Sequence, residues 1–387
     1  MKILFLGLFY DEEGLQQSYK EIKGGVQMAP HRFQTLLIDG LRENGVEVQA
    51  VNVMPGGTFP LHHRRLFIQD KHWGEGSLRI GYFNLPLVKQ WTQARKAYVA
   101  MKRALTSENP PDAIVCYYIH KPFLQAIARI KKQFPHVKTV LIMTEAVPGR
   151  GDIVDTPRRK KLGDSLVEKS KVLDGFCLLT KYLTEPMEVG DRKYFVLEGI
   201  ADANMPKAAR EKTKDKVFLY TGSIYKQFNL DVLIDAFAFL PEAQLWLCGN
   251  TNEEKANIEK TPNVHYFGEV PFEELKKYRE QSAFLINPRQ PTGTYTRYSF
   301  PSKTMEYLAS GIPTVGYKLE GLGEEYYPHI NFVEGADAKS LAEELRALMG
   351  TSYQALSQKA ERAREFVLSE KTAKKQAAKL QEFIENL

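Results

Sequence analysis

Cysteine is scarce in this chain: Cys116, Cys177 and Cys248 are the only three in 387 residues. Each sits inside an apolar run (AIVCYYI, FCLL, LWLCG) that reads as a buried strand. An odd count without metal-ligand spacing argues against a disulfide framework or a zinc module, and reduced core thiols are expected. Long apolar runs are missing as well. MKILFLGLFY is interrupted at Asp11, Glu12 and Glu13, too soon for a membrane span or a signal peptide, so a cytoplasmic protein is expected. Dense charge runs interleaved with aromatics are absent, which argues against a nucleic-acid partner despite a formal net charge of +6. His62 and His63 adjoin Arg64 and Arg65 and lack acidic or thiol partners at ligand spacing, so no metal is expected.

What is present is a globular composition, 43% hydrophobic and 26% charged, spread over a chain longer than one core usually supports. Two domains are expected. KILFLGLFY over residues 2–10 reads as a strand buried on both faces of a parallel sheet. A loop ending in Lys23-Gly24-Gly25 follows, then an amphipathic helix from about Pro30 to Asn44, and VEVQAVNV resumes strand character. A helix around Leu87–Leu105, the strand AIVCYY, a helix around Phe123–Gln133 and the strand TVLIM continue the alternation. That pattern indicates an α/β domain with right-handed crossovers. After the polar stretch ADANMPKAAREKTKDK a second cycle runs through VFLYTGS, LDVLIDAFAFL, AQLWLCG, NVHYFG, FEELKKYREQ, AFLINP, a helix from Ser302, and IPTVGY. The expected domains are 1–204 and 205–387. Helices fill the stretch from about Asp337, and the last is long enough to cross back onto the first domain.

The densest chemistry lies in YSFPSKTMEYLASGIPTV, residues 298–315. Pro301 stands where a helix can start, so the amides of Ser302, Lys303 and Thr304 are expected as unpaired donors at the positive end of a helix dipole. Lys303 adds charge and the two hydroxyls add donors, which suits a diphosphate. Glu306, one turn inside, can accept hydrogen bonds from two ribose hydroxyls. An ordinary capped helix with an exposed glutamate is the other reading of the same residues. In YTGSIYK, residues 220–226, Gly222 permits close backbone approach, Ser223 supplies a donor and Lys226 can neutralise a departing phosphate. Both segments follow parallel strands at their carboxyl ends, where open α/β sheets bind ligands.

These segments resemble the GT-B-fold glycosyltransferases of family 4 (glycosyl transferases group 1). The resemblance spans nearly the whole chain: the first glycine loop, FVLEGIAD at 195–202, YTGSIYKQFNLDVLIDAF, NVHYFGEVPFEEL and FPSKTMEYLASGIPTV. It implies two Rossmann-like domains facing across a cleft, a UDP-linked sugar donor, and a glycan or lipid-linked acceptor. Retaining transfer is implied, with neither metal nor cofactor beyond the nucleotide-sugar substrate. By resemblance Glu306 holds the ribose, while Lys226, Ser223 and Lys303 hold the diphosphate. Gly268 to Val270 line the base pocket through backbone groups, and Gly24 and Gly25 of the glycine entry loop bind the nucleotide-sugar donor. Arg289 is assigned to the phosphates or sugar, or else is a surface arginine paired with an acid. Thr144 or Glu145, after TVLIM, faces the donor sugar; Glu145 joins Lys226 and Lys303 as a catalytic candidate, with a solvated loop carboxylate as the alternative. His120 is an acceptor-side candidate, or a structural histidine.

One departure is Tyr298. Many members carry two glutamates eight positions apart, the second at the position of Glu306, and Tyr298 replaces the first. A nucleotide-sugar 2-epimerase and a catalytically degenerate GT-B partner subunit are the rival functions. Lys89, Arg95, Lys96, Lys102 and Arg103 share a helix with Trp91, Tyr98 and Leu105, and His62–Arg65 and Arg158–Lys161 add basic loops. Together they suggest peripheral contact with anionic lipid, the rival being a solvated helix face.

Overall fold

The computed structural model describes residues 1–23, 25–74, 76–151, 156–208, 216–251 and 258–387. The chain forms two units, Met1–Ile200 together with Ala373–Leu387, and Ala201–Thr372.

Unit 1 begins with β1 (Lys2–Gly7), α1 (Glu12–Glu21), α2 (Met28–Glu43) and β2 (Glu47–Asn52), followed by the short strands β3 (Phe67–Ile68), β4 (Lys71–Trp73), β5 (Ser77–Arg79) and β6 (Tyr82–Phe83). It continues with α3 (Val88–Leu105), β7 (Ala113–Tyr117), α4 (Lys121–Gln133), β8 (Lys138–Met143), α5 (Pro157–Ser170), β9 (Gly175–Leu178) and β10 (Lys193–Val196). The main sheet has the order β10-β9-β8-β7-β1-β2-β5-β4. It is parallel except where β4 meets β5. Ile3, Leu4, Phe5 and Leu6 of β1 are wholly buried, because a central parallel strand is covered by helices on both faces. Between β7 and β2, β1 marks the point where the strand order reverses, and loops leaving the carboxyl ends diverge there to leave a crevice.

The helix α1 replaces part of the expected loop after β1. Its sequence, EEGLQQSYKE, buries only Gly14 and Ser18, so it carries no apolar stripe to announce it. What holds it is polar: Asp11, just before the helix, receives Arg79 Nη1 at 2.7 Å in a buried ion pair.

Unit 2 contains β11 (Val217–Thr221), α6 (Leu230–Ala236), β12 (Gln244–Cys248), β13 (Val264–Gly268), α7 (Phe272–Gln281), β14 (Phe284–Asn287), α8 (Lys303–Ser310), β15 (Thr314–Gly316) and β16 (Asn331–Phe332). The helices α9 (Ala338–Met349) and α10 (Tyr353–Glu370) follow. Its sheet is parallel, in the order β13-β12-β11-β14-β15-β16. Both units are therefore Rossmann-like.

The expected division at 204/205 differs from the observed one in a specific way. The last helix, α11 (Ala373–Glu385), belongs to unit 1. Its buried face of Ala377, Leu380 and Ile384 packs against α2. Gly40 of α2 lies so close to the Ala373 backbone that a Cβ there would overlap it. Asn44 Nδ2 donates to the Lys374 carbonyl at 2.8 Å and Gln376 Nε2 to that of Gly199 at 2.6 Å. Chain order suggests a second domain running to 387, whereas the burial of an amphipathic stripe decides which core its helix joins.

Candidate active site

Three glycines finish three neighbouring strands of unit 2. Gly222 N donates to the Cys248 carbonyl at 2.9 Å, and Gly249 N to the Gly268 carbonyl at 2.8 Å. Gly249 has φ 149°, and a Cβ on it would overlap the Gly222 carbonyl. The strand ends of β11, β12 and β13 thus present bare backbone, which is what close approach of a ligand requires.

The turn after β11 is a short 3₁₀ segment, Lys226–Phe228, closed by Asn229 in the left-handed region at φ 61°. It is tied to the segment following β14. Asn229 Oδ1 accepts from Gln290 N at 3.3 Å, and Tyr295 Oη donates to the Gln227 carbonyl at 2.9 Å. Arg289 lies over the rings of Phe228 and Tyr295, at 5.4 and 4.9 Å from their centroids, and donates from Nη1 to Ser299 Oγ at 3.1 Å. The guanidinium is thus stacked and oriented beside the Lys226 turn. Lys226 itself is exposed and has no ion-pair partner among the described residues.

The helix α8 joins this assembly through Tyr307. Its hydroxyl, wholly buried, accepts from Thr221 N at 3.0 Å and lies 3.3 Å from Thr221 Oγ1. Burial pushes that phenol up to about 12, so it stays neutral. Through this bond the 220–226 and 298–315 segments meet at one strand end. Three details depart from expectation. Thr304 N donates to the Pro301 carbonyl at 2.8 Å, so its amide is already engaged, and its side chain is buried. Ser302 is the exposed residue at the helix entry. Lys303 Nζ rests against Glu306, at 3.1 Å from Oε2, so the two side chains expected to hold phosphate and ribose are joined to each other.

Glu306 Oε2 also accepts from Arg279 Nη2 at 2.9 Å. Arg279 projects from α7 and is buried. Sequence reasoning missed it because FEELKKYREQ reads as a solvated charged helix, and only packing turns one of its cations inward. Tyr298 is buried, which takes this position out of contact with solvent. Val270 packs on the cluster that includes Val217, Leu219 and Trp246, leaving its backbone for any base contact.

In unit 1 Gly24 lies outside the described residues. Gly25, with φ 91°, borders a cavity of about 460 Å³ at the carboxyl ends of β1 and β2 that Lys89, Gln93 and His120 also line. Burial, with the Lys89 charge second, pushes the His120 imidazole down to about 3, so it is neutral. Lys89 was expected on the basic outer face of its helix. It points inward instead, donating to the Gly56 carbonyl at 2.7 Å. Leu105 and His63, placed on the same surface by sequence, are buried too. Glu145 is exposed just beyond β8, and its charge, after burial, helps push the Tyr118 phenol up. The three cysteines are free and buried; burial pushes Cys248 up to about 12, which leaves no thiolate nucleophile near neutral pH. Among the described residues, no group of three or more His, Cys, Asp or Glu could hold a metal ion. No helix among them is long and apolar enough to cross a membrane.

Two Rossmann-like units are the architecture of the GT-B fold, and in the second the glycine strand ends, an oriented arginine and a helix entry converge on one point. Residues 215–351 match the family described as Glycosyl transferases group 1, so unit 2 carries that domain. No curated protein matches the chain by sequence. Among solved structures, sucrose-phosphate synthase from Thermosynechococcus elongatus is similar with a TM-score of 0.72 and 14% identity, over 100% of this chain and 98% of that one. An E. coli trehalose-6-phosphate structure bound with UDP-2-fluoro glucose aligns at TM-score 0.68 and 10% identity, over 100% of this chain and 99% of that one. The Anabaena protein HepE, in complex with UDP and glucose, aligns at 0.61 and 12%, over the full length of both chains.

Proposed function

We propose that the protein transfers a hexosyl group from a UDP-linked sugar to a glycan or lipid-linked acceptor, with retention at the anomeric carbon. The carrying observation is the Thr221–Tyr307 hydrogen bond, which seats the Gly222 loop and the Glu306 helix at one strand end. In this reading the anomeric C–O bond to the diphosphate breaks as the acceptor hydroxyl attacks from the same face and passes its proton to the departing phosphate. Lys226, Arg289, Ser223 and the α8 entry receive the charge growing on the leaving phosphate, and cations at that point stabilise the transition state more than the ground state. Glu306, held by Arg279, presents its carboxylate to the ribose hydroxyls, and Lys303 shifts from it to the diphosphate when nucleotide binds. No resident metal is called on. Glu145 and His120 serve the sugar and acceptor side.

Peripheral contact with anionic lipid belongs to the same proposal. Leu87 and Trp91 are 82% and 62% exposed, and Phe67 and Phe83, whose rings lie 5.1 Å apart, are also open to solvent. Arg64, Arg65 and Arg95 are exposed in the same stretch of chain. Large apolar groups combined with cations suit an interfacial site. The deciding experiment for the function is calorimetry with UDP and GDP, followed by nucleotide-sugar hydrolysis. UDP binding with measurable turnover supports transfer; failure to bind either nucleotide refutes it, and binding without any turnover favours the degenerate-subunit reading.

A further inference from the structure

The cavity in unit 1 is polar in an unbalanced way. Lys23, His62, Lys89 and His120 line it, together with Tyr10 and Gln93, and among the described residues no carboxylate does. Lys89 Nζ contacts the Gly56 carbonyl at 2.7 Å and that of Gly57 at 3.5 Å, and lies 5.0 Å from the Tyr82 ring centroid. It has no anionic partner among the described residues. An ammonium withdrawn from water without a counter-charge is costly, and a ligand's negative charge is what would offset that cost. Two further groups are left wanting a partner. Among the described residues Gln93, 1% exposed, has no hydrogen-bond acceptor for its Nε2, and the buried Nδ1 of His120 likewise has no partner. Buried polar atoms are nearly always satisfied in folded proteins, so two such atoms and an uncompensated cation around one cavity mark a place that a ligand completes. The cavity lies where β1 and its neighbours end, at the reversal of strand order, the usual position for ligands in such sheets.

We propose that this cavity holds an anionic group of the acceptor, a phosphate carried by a sugar or by a lipid, with Lys89, Gln93 and His120 as its donors. The proposal rests on the transfer reading above and adds the chemical class of the acceptor. A neutral sugar would leave Lys89 uncompensated; a phosphate supplies both the charge and enough oxygens for all three donors.

The test is calorimetry on the full chain saturated with UDP, so that the donor site is filled. The probes are glucose, glucose 6-phosphate, inorganic phosphate and a short-chain polyprenyl phosphate in detergent. At least one phosphate-bearing probe is expected to bind about tenfold or more tightly than glucose, as charge-assisted bonds in an enclosed site require. Preference for glucose 6-phosphate identifies a free sugar phosphate as the source, and preference for the polyprenyl phosphate identifies a lipid carrier. Lys89→Met is expected to remove this preference while UDP affinity stays unchanged. Gln93→Leu, which leaves the Lys89 contacts to the 56–57 loop intact, is expected to weaken the same probe several-fold, and serves if the first variant fails to fold. Equal binding of glucose and all phosphates, or undiminished phosphate affinity in the folded variants, overturns the proposal while leaving the transfer reading in place. Loss of UDP binding by the wild type would instead overturn the transfer reading.

Discussion

Replacing Tyr307 with Phe tests whether one buried hydrogen bond organises the donor site. The Tyr307 hydroxyl accepts from Thr221 N at 3.0 Å, and both residues are buried. Removing the oxygen leaves a backbone N–H without a partner where water cannot replace it, a penalty of about 1–3 kcal/mol. In a unit of this size each kcal/mol lowers the melting temperature by about 2–4 °C, so a drop of about 2–12 °C is expected. Nucleotide affinity should fall as well. The bond fixes α8 against the residue preceding Gly222, so its loss lets the Glu306 and Ser223 sides of the site drift, and even a tenfold weakening corresponds to only about 1.4 kcal/mol. Thermal unfolding and UDP calorimetry on the same preparation measure both effects. If Tyr307→Phe melts with the wild type and binds UDP equally well, the bond does not organise the site and the reasoning fails.

Other outcomes are open to measurement. Lys226→Ala is expected to lower kcat by two or more orders of magnitude with an unchanged melting curve, because this exposed ammonium acts on the departing diphosphate; near-normal turnover would remove it from the site. Glu306→Gln should weaken UDP and UDP-sugar alike by about 1–3 kcal/mol through neutralised ribose bonds, and unchanged UDP affinity in calorimetry would exclude the ribose contact. Burial pushes Lys89 down to about 8 from 10.5. The unfolded chain therefore holds more protons between those values, and wild-type stability should rise with pH across that window relative to Lys89→Met; parallel melting-temperature profiles of the two proteins would contradict it. Sedimentation with anionic vesicles at low salt should retain the wild type and release Leu87→Asp with Trp91→Ala, whereas a wild type that never sediments would rule out the lipid contact.

The sequence by itself carried the fold, because that information is local. Continuous apolar runs such as KILFLG announce strands covered on both faces, and the alternation with helices restricts the topology to parallel sheets with right-handed crossovers. The 220–226 and 298–315 segments could likewise be singled out as candidates, since glycine, lysine and a proline-led helix entry suit an anion, although an ordinary capped helix has the same residues. Other features depended on tertiary structure, for the reason that their partners are remote in sequence. Arg279 reaches Glu306 across 27 positions and Tyr307 reaches Thr221 across 86, and neither pairing leaves a periodic trace. Lys89 looked like one more surface cation on a basic helix until folding turned it toward the Gly56 carbonyl, and α1 lacked the apolar stripe by which helices are read. The last helix could be recognised as amphipathic from its sequence, but which core receives its stripe was decided by the close approach of Gly40 to Ala373, a fit of surfaces that no local pattern encodes.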